Sequence, residues 1–110
     1  MLCQNGNRFK YKRYAKSRIL GSFDLFERID CYEIWSLGVR EDCRRKGVAT
    51  KMLTEFIEQF SFDKPLVLFV QKGNYPAINL YKKVGFEFVD DDFDNRYQGI
   101  AYAMIYAKED

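Results

Sequence analysis

The chain has 110 residues, 47% of them hydrophobic and 17% aromatic, with 18 basic and 16 acidic residues for a net charge of +2. That composition suits one folded domain over residues 1–110 and excludes a globally disordered chain, which lacks the apolar residues for a core. The charge balance does not point to a polyanion-binding protein, and no apolar run approaches the roughly 18 residues of a membrane-spanning helix.

Cysteines fall at Cys3, Cys31 and Cys43, an odd count with no pair at metal-ligand spacing, and histidine is absent. No metal site is expected, and a reducing, cytoplasmic setting is the simplest reading. Without histidine, Ser-His and Cys-His nucleophile mechanisms fall away, so proton transfer must use carboxylate, tyrosine, lysine, cysteine or water. Residues 1–7 carry no apolar stretch of the kind a secretory signal needs.

In chain order, residues 8–16 mix aromatic and basic side chains, and residues 19–27 are rich in strand formers. Lys16-Ser17-Arg18 reads as a turn, which predicts an antiparallel hairpin. Arg28-Ile29-Asp30-Cys31 reads as a second turn, followed by a strand over residues 32–39. Its alternation puts Glu33, Trp35, Leu37 and Val39 on one face and Ile34, Ser36 and Gly38 on the other.

The period then changes. Val48, Ala49, Met52, Leu53, Phe56, Ile57 and Phe60 form one stripe of a helix, stopped by Asp63-Lys64-Pro65. Residues 66–70 are continuously apolar, as in a strand buried on both faces. Strand, helix and strand make a βαβ unit whose two strands run parallel. A second helix starts near Asn74-Tyr75-Pro76, carries Ala77, Leu80, Tyr81 and Val84 on its apolar stripe, and stops at Gly85. Residues 86–89 read as a short strand, residues 90–95 as an acidic loop and residues 100–107 as a closing strand. The predicted order is β-β-β-α-β-α-β-β.

The turn before the first helix carries the chemistry. Arg44-Arg45-Lys46-Gly47-Val48-Ala49 sets cations, a glycine and a small residue at a helix N-terminus. Free backbone N–H groups and the helix dipole there favour an anion, and a glycine lets the backbone approach it closely. Arg40, Arg44, Arg45 and Lys46 add charge within reach of phosphates, so a pyrophosphate is the natural guest.

Those six residues resemble the signature of the GNAT superfamily of acyl-CoA-dependent acyltransferases: Arg or Gln, two residues, Gly, one residue, Gly or Ala. Downstream, Asn74-Tyr75-Pro76-Ala77-Ile78-Asn79-Leu80-Tyr81-Lys82-Lys83-Val84-Gly85-Phe86 is similar to the family's second motif. Both occur in the right order around one buried strand, and the resemblance spans about residues 19–107. It implies an α+β fold with a mixed, mainly antiparallel central sheet, a parallel pair at the cofactor site and two or more helices.

The resemblance also implies roles. The cofactor is acetyl-CoA, used as a co-substrate. Its pyrophosphate would lie on the amides and side chains of Arg44, Arg45, Lys46, Gly47, Val48, Ala49 and Thr50. Leu37, Gly38 and Val39 would pair by backbone with the pantetheine arm, as an added strand does. Asn74 and Asn79 would sit near the pantetheine or nucleotide end. Tyr81 would protonate the leaving thiolate, and Glu33 would take a proton from the incoming ammonium, through water. The implied reaction is direct acetyl transfer to a primary amine on a small molecule or a protein, with no membrane role.

Residues 1–7 stand where the family usually has a strand and two helices that wall the acceptor site. A homodimer is one way to restore that wall, and a non-catalytic acyl-CoA-binding module of the same fold is the nearest alternative. A more distant one is nucleic-acid binding through Arg8, Lys10, Lys12, Arg13, Lys16 and Arg18 interleaved with Phe9, Tyr11 and Tyr14; modest net charge and the lack of an RNP1 pattern argue against it. If the acidic loop borders the acceptor cleft, it favours a cationic amine.

Overall fold

The computed structural model describes residues 2–5, 7–15, 18–44, 47–60, 62–89 and 99–107. Alternating and apolar stretches form strands β1 (Leu2–Asn5), β2 (Arg8–Ala15), β3 (Arg18–Glu27), β4 (Tyr32–Val39), β5 (Leu66–Gln71), β6 (Phe86–Phe88) and β7 (Ala101–Tyr106). The helical stripes become α1 (Val48–Gln59) and α2 (Tyr75–Val84), and a short 3₁₀ turn covers Glu41–Cys43. The acidic loop of the sequence reading lies outside the described residues, as do Arg45, Lys46 and Lys16.

Among the described residues the strands make one sheet of seven in the order β1-β2-β3-β4-β5-β7-β6. Only β4 and β5 are parallel; every other neighbouring pair is antiparallel. This is the mixed sheet with one parallel pair that the sequence implied. β1 is an addition, a strand formed where the sequence reading assigned none. Asn5 pairs with Arg8, so two residues join β1 to β2.

One face of the sheet holds the core. Tyr11, Phe23, Leu25, Ile34, Leu68 and Met104 meet Met52, Leu53 and Phe56 of α1 and Ile78 of α2. Tyr11 stacks on Phe23 with ring centroids 4.9 Å apart, and Phe56 meets Phe23 edge-on at 5.0 Å. Truncating such a buried ring to alanine costs about 3–5 kcal/mol, so these contacts fix how α1 lies on the sheet. Both helices share this face, because their stripes enter the same cluster.

Of the three β2 aromatics in the nucleic-acid alternative, Tyr14 is exposed and the other two face the core. Tyr11 is buried and Phe9 packs on the core against Phe60, so neither ring is offered to a base. Four of the cations are engaged in ion pairs within the chain: Arg8 and Lys10 with Asp24, Arg13 with Glu55, Arg18 with Asp42.

The other face carries no helix among the described residues. The strand registers lay Glu87, Ile105, Val67, Glu33, Phe26 and Arg8 in one row across it. The next row runs Ala103, Phe69, then across to Trp35, Asp24 and Lys10.

Candidate active site

β4 and β5 pair over only three positions, Tyr32 with Leu66, Glu33 with Val67 and Ile34 with Leu68. Beyond Ile34 and Leu68 the ladder between the two strands ends, and among the described residues the stretch of β4 from Ser36 to Val39 lies past it. The cause is local to β4. Ser36 has φ 56°, a left-handed conformation rare for a residue with a side chain, and the register with β3 shifts between Ser22 and Asp24. Such a bulge bends a strand and raises its twist.

It also resets the alternation, which corrects the face assignment from sequence. Glu33 and Trp35 do share a face, but Leu37 crosses to the face of Ile34 and packs against the core. Val39 follows it there, close to Gly21 and Met52. Period-two counting fails at Ser36 because a bulge inserts one residue into the count.

At the end of β4 the chain enters the phosphate-type turn. Gly47 is the N-cap of α1 at φ 75°, ψ 15°, with no side-chain cap, and the first turn holds no acidic residue. The amides of Val48, Ala49 and Thr50 therefore face the helix end without a competing carboxylate, which is the arrangement that favours an anion. Arg44 turns back, its Nε donating to the Val39 carbonyl at 3.2 Å. Arg40 forms a two-pronged pair with Asp42, Nε and Nη2 each at 3.0 Å, and Arg18 reaches the same carboxylate at 2.9 Å. These donors, Arg40 first, hold the Asp42 carboxyl below the usual carboxylate range. Arg18 is a cation of this corner that the sequence reading did not place there; it comes from the start of β3, far away in the chain.

Gly38 is exposed on the open stretch of β4, and Leu37 and Val39 flank it. Gly21 stands behind it. A Cβ on Gly21 would come 2.9 Å from the Gly38 carbonyl oxygen, so only glycine fits.

Asn74 is the N-cap of α2, its Oδ1 accepting from the Ala77 amide at 3.4 Å. Its side chain therefore has a structural use in the helix start. Asn79 is exposed on the same helix. Tyr81 is half-buried against the core with its ring edge toward Phe86, centroids 6.1 Å apart. Burial pushes its phenol above the usual value, which keeps it protonated.

Glu33 is 2% exposed, and with Asp24 it is one of two buried carboxylates among the described residues. Its Oε1 accepts from the Trp35 indole N–H at 3.0 Å and from Arg28 Nε at 3.3 Å, and the Cys31 thiol lies 3.9 Å from Oε2. Glu33 and Tyr81 lie on opposite faces of the sheet. Arg28 and Trp35 both hold the Glu33 carboxylate, and the sequence reading left both out of the chemistry. The shared parity of positions 33 and 35 was the available signal for Trp35.

The β4–β5 gap, the open helix N-terminus and the sheet order define a class. A family model for the acetyltransferase (GNAT) family matches residues 6–86, and the chain belongs to that family. A curated relative, an N-alpha-acetyltransferase of Saccharolobus solfataricus, is 40% identical over 57 residues, 49% of this chain. The match spans 34% of that relative, so about a third of its length is represented here. Among solved structures, a GNAT family acetyltransferase from Elizabethkingia anophelis with acetyl-CoA bound superposes at TM-score 0.71 and 22% identity, over 90% of this chain and 73% of that one. Naa50 of Arabidopsis thaliana, in complex with the bisubstrate analogue CoA-Ac-MVNAL, superposes at 0.72 and 22%, over 90% and 72%. These likenesses establish the fold. No helix among the described residues is long and apolar enough to cross a membrane.

Proposed function

We propose that this chain is an acetyl-CoA-dependent N-acetyltransferase that moves the acetyl group to a primary amine by direct attack. The observation that carries the reading is the parting of β4 from β5 after Ile34 and Leu68, leading straight to the uncapped N-terminus of α1. The residues fit the cofactor. The pyrophosphate would sit on the amides from Gly47 to Thr50, joined by Arg44, Arg45 and Lys46. The pantetheine arm would add to β4 along Leu37, Gly38 and Val39, with Asn74 and Asn79 toward its far side. The bound thioester supplies the activated acetyl group.

The chain's own residues do the rest. Glu33, held by Arg28 and Trp35, takes the acceptor's proton through water on one face of the sheet. Backbone N–H groups of the open β4 segment face the developing oxyanion. Tyr81, kept protonated by burial, gives its proton to the departing thiolate on the other face. The acceptor is an amine of a small molecule or of a polypeptide; one relative is by name an N-alpha-acetyltransferase and Naa50 is in complex with the bisubstrate analogue CoA-Ac-MVNAL, which favours the polypeptide. The protein works alone or as a homodimer, the pair closing the side of the acceptor groove.

Thermal unfolding with desulfo-CoA tests the cofactor site. At about a hundred times Kd the ligand adds roughly 2.7 kcal/mol, a rise on the order of ten degrees for a domain of this size. Gly47→Glu should abolish the rise. No rise with wild type at millimolar ligand would refute the proposal.

A further inference from the structure

Trp35 and Phe69 each stand one residue past the last paired position of β4 and β5, at the apex of the gap. Their rings stack with centroids 5.4 Å apart and planes at 29°. Ring contact thus joins the two strands just past the last paired position of the ladder. The same indole donates its N–H to Glu33 Oε1 at 3.0 Å, and Arg28 holds that oxygen from the preceding turn at 3.3 Å. The next residue, Ser36, turns the strand through the left-handed region, so Trp35 is the last side chain of β4 on this face before the bulge.

We infer that Trp35 is a positioning residue with two separable tasks: its ring sets the width of the cofactor gap through Phe69, and its N–H orients the Glu33 carboxylate. This rests on the proposed acetyltransferase reading. The two tasks use different parts of one side chain. Trp35→Phe removes the N–H donated to Glu33 and keeps an aromatic ring beside Phe69; removing Phe69 takes away the stacked ring and keeps the indole N–H on Glu33. Aromatic stacking is worth about 0.5–1.5 kcal/mol beyond burial, which corresponds to roughly a two- to tenfold change in an equilibrium constant.

Trp35 is the only tryptophan of the chain, so its emission and its single indole N–H resonance report on this apex directly. Desulfo-CoA is titrated into wild type, Phe69→Ala and Phe69→Tyr while Trp35 emission is followed. The expected result is a saturable change in wild type, a Kd raised about fivefold to tenfold in Phe69→Ala, and recovery in Phe69→Tyr. An unchanged Kd in Phe69→Ala would overturn the gap task. For the second task, Trp35→Phe should lower kcat about tenfold with KM for acetyl-CoA within twofold of wild type, and Glu33→Gln should shift the indole N–H resonance of the folded protein. A Trp35→Phe enzyme with wild-type kcat, or an indole resonance unmoved by Glu33→Gln, would overturn that task. If Glu33→Gln moves the resonance but leaves kcat intact, orientation of the carboxylate stands and its role as base fails. If wild type acetylates no amine, the emission and resonance arms still decide both tasks while the transferase reading falls.

Discussion

At the scale of single residues, Tyr81 carries the sharpest expectation. Burial raises its phenol, so the acid form persists past the ordinary value near 10. A group that must be protonated loses activity only above its own pKa. The alkaline limb of kcat/KM due to this group should therefore lie above pH 10, and Tyr81→Phe should remove it. The same variant should slow transfer about a hundredfold while desulfo-CoA affinity stays within twofold. A pH–rate profile of both proteins checks this, and equal rates would take Tyr81 out of the chemistry. Gly21 offers a contrasting test. Its Cβ would meet the Gly38 carbonyl oxygen at 2.9 Å, so Gly21→Ala must displace the strand proposed to hold pantetheine. Overpacking of this kind costs about 1–3 kcal/mol, and desulfo-CoA binding should weaken along with the loss in Tm. Tyr81 was legible from sequence because it falls inside a motif. Gly21 was not, since its constraint is a carbonyl seventeen positions along the chain, brought there by β3–β4 pairing.

Elements were legible where one local signal governed them. The stripe from Val48 to Phe60 gave α1, and Asn74, Pro76 and Gly85 marked both ends of α2. The buried run gave β5, which lies inside the sheet between β4 and β7 with Leu66, Val67, Leu68 and Val70 all buried. The bulge in β4 was hidden because nothing in Ile34-Trp35-Ser36-Leu37 requires a left-handed residue; a glycine at position 36 would have advertised it. That absence makes a prediction. An L-residue in this conformation costs about 1–2 kcal/mol, and the Ser36 side chain is exposed, so packing does not confuse the comparison. Ser36→Gly should stabilise the fold by up to about 1 kcal/mol after the extra freedom of glycine in the unfolded chain is counted. Ser36→Val should destabilise it by about 1 kcal/mol or more. Urea midpoints of the three proteins read this out, and a wild-type midpoint for Ser36→Val would mean the bulge is not maintained in solution.

The whole molecule was legible as an order of elements and a motif pair, but its long-range ties were not. One tie joins the start of β4 to the segment between α1 and β5: the Tyr32 hydroxyl donates to Asp63 Oδ1 at 2.8 Å. The two partners sit 31 residues apart, and no local pattern links a core tyrosine to a loop aspartate. The bond shifts both groups. It pushes the Tyr32 phenol up to about 12 from 10.0, and with its help the Asp63 carboxyl lies below 3.8. The signs agree. A lowered carboxyl contributes stability that is present above its unfolded value and lost as pH falls through its folded one. A raised phenol contributes stability that is present below its unfolded value and lost as pH rises toward its folded one. The two statements describe one hydrogen bond, intact while Tyr32 is protonated and Asp63 is ionised. The stability difference between wild type and Tyr32→Phe should therefore be flat from about pH 4 to about pH 10 and shrink on either side. Urea unfolding of both proteins across that range measures it. A difference that stays constant below pH 3 would show that Asp63 is not the acceptor, and the loop before β5 would then be held to the sheet by its other ties, the packing of Phe62 on Tyr32 and Phe56, the Lys64–Glu27 ion pair and the Tyr32 N–H bond to the Pro65 carbonyl.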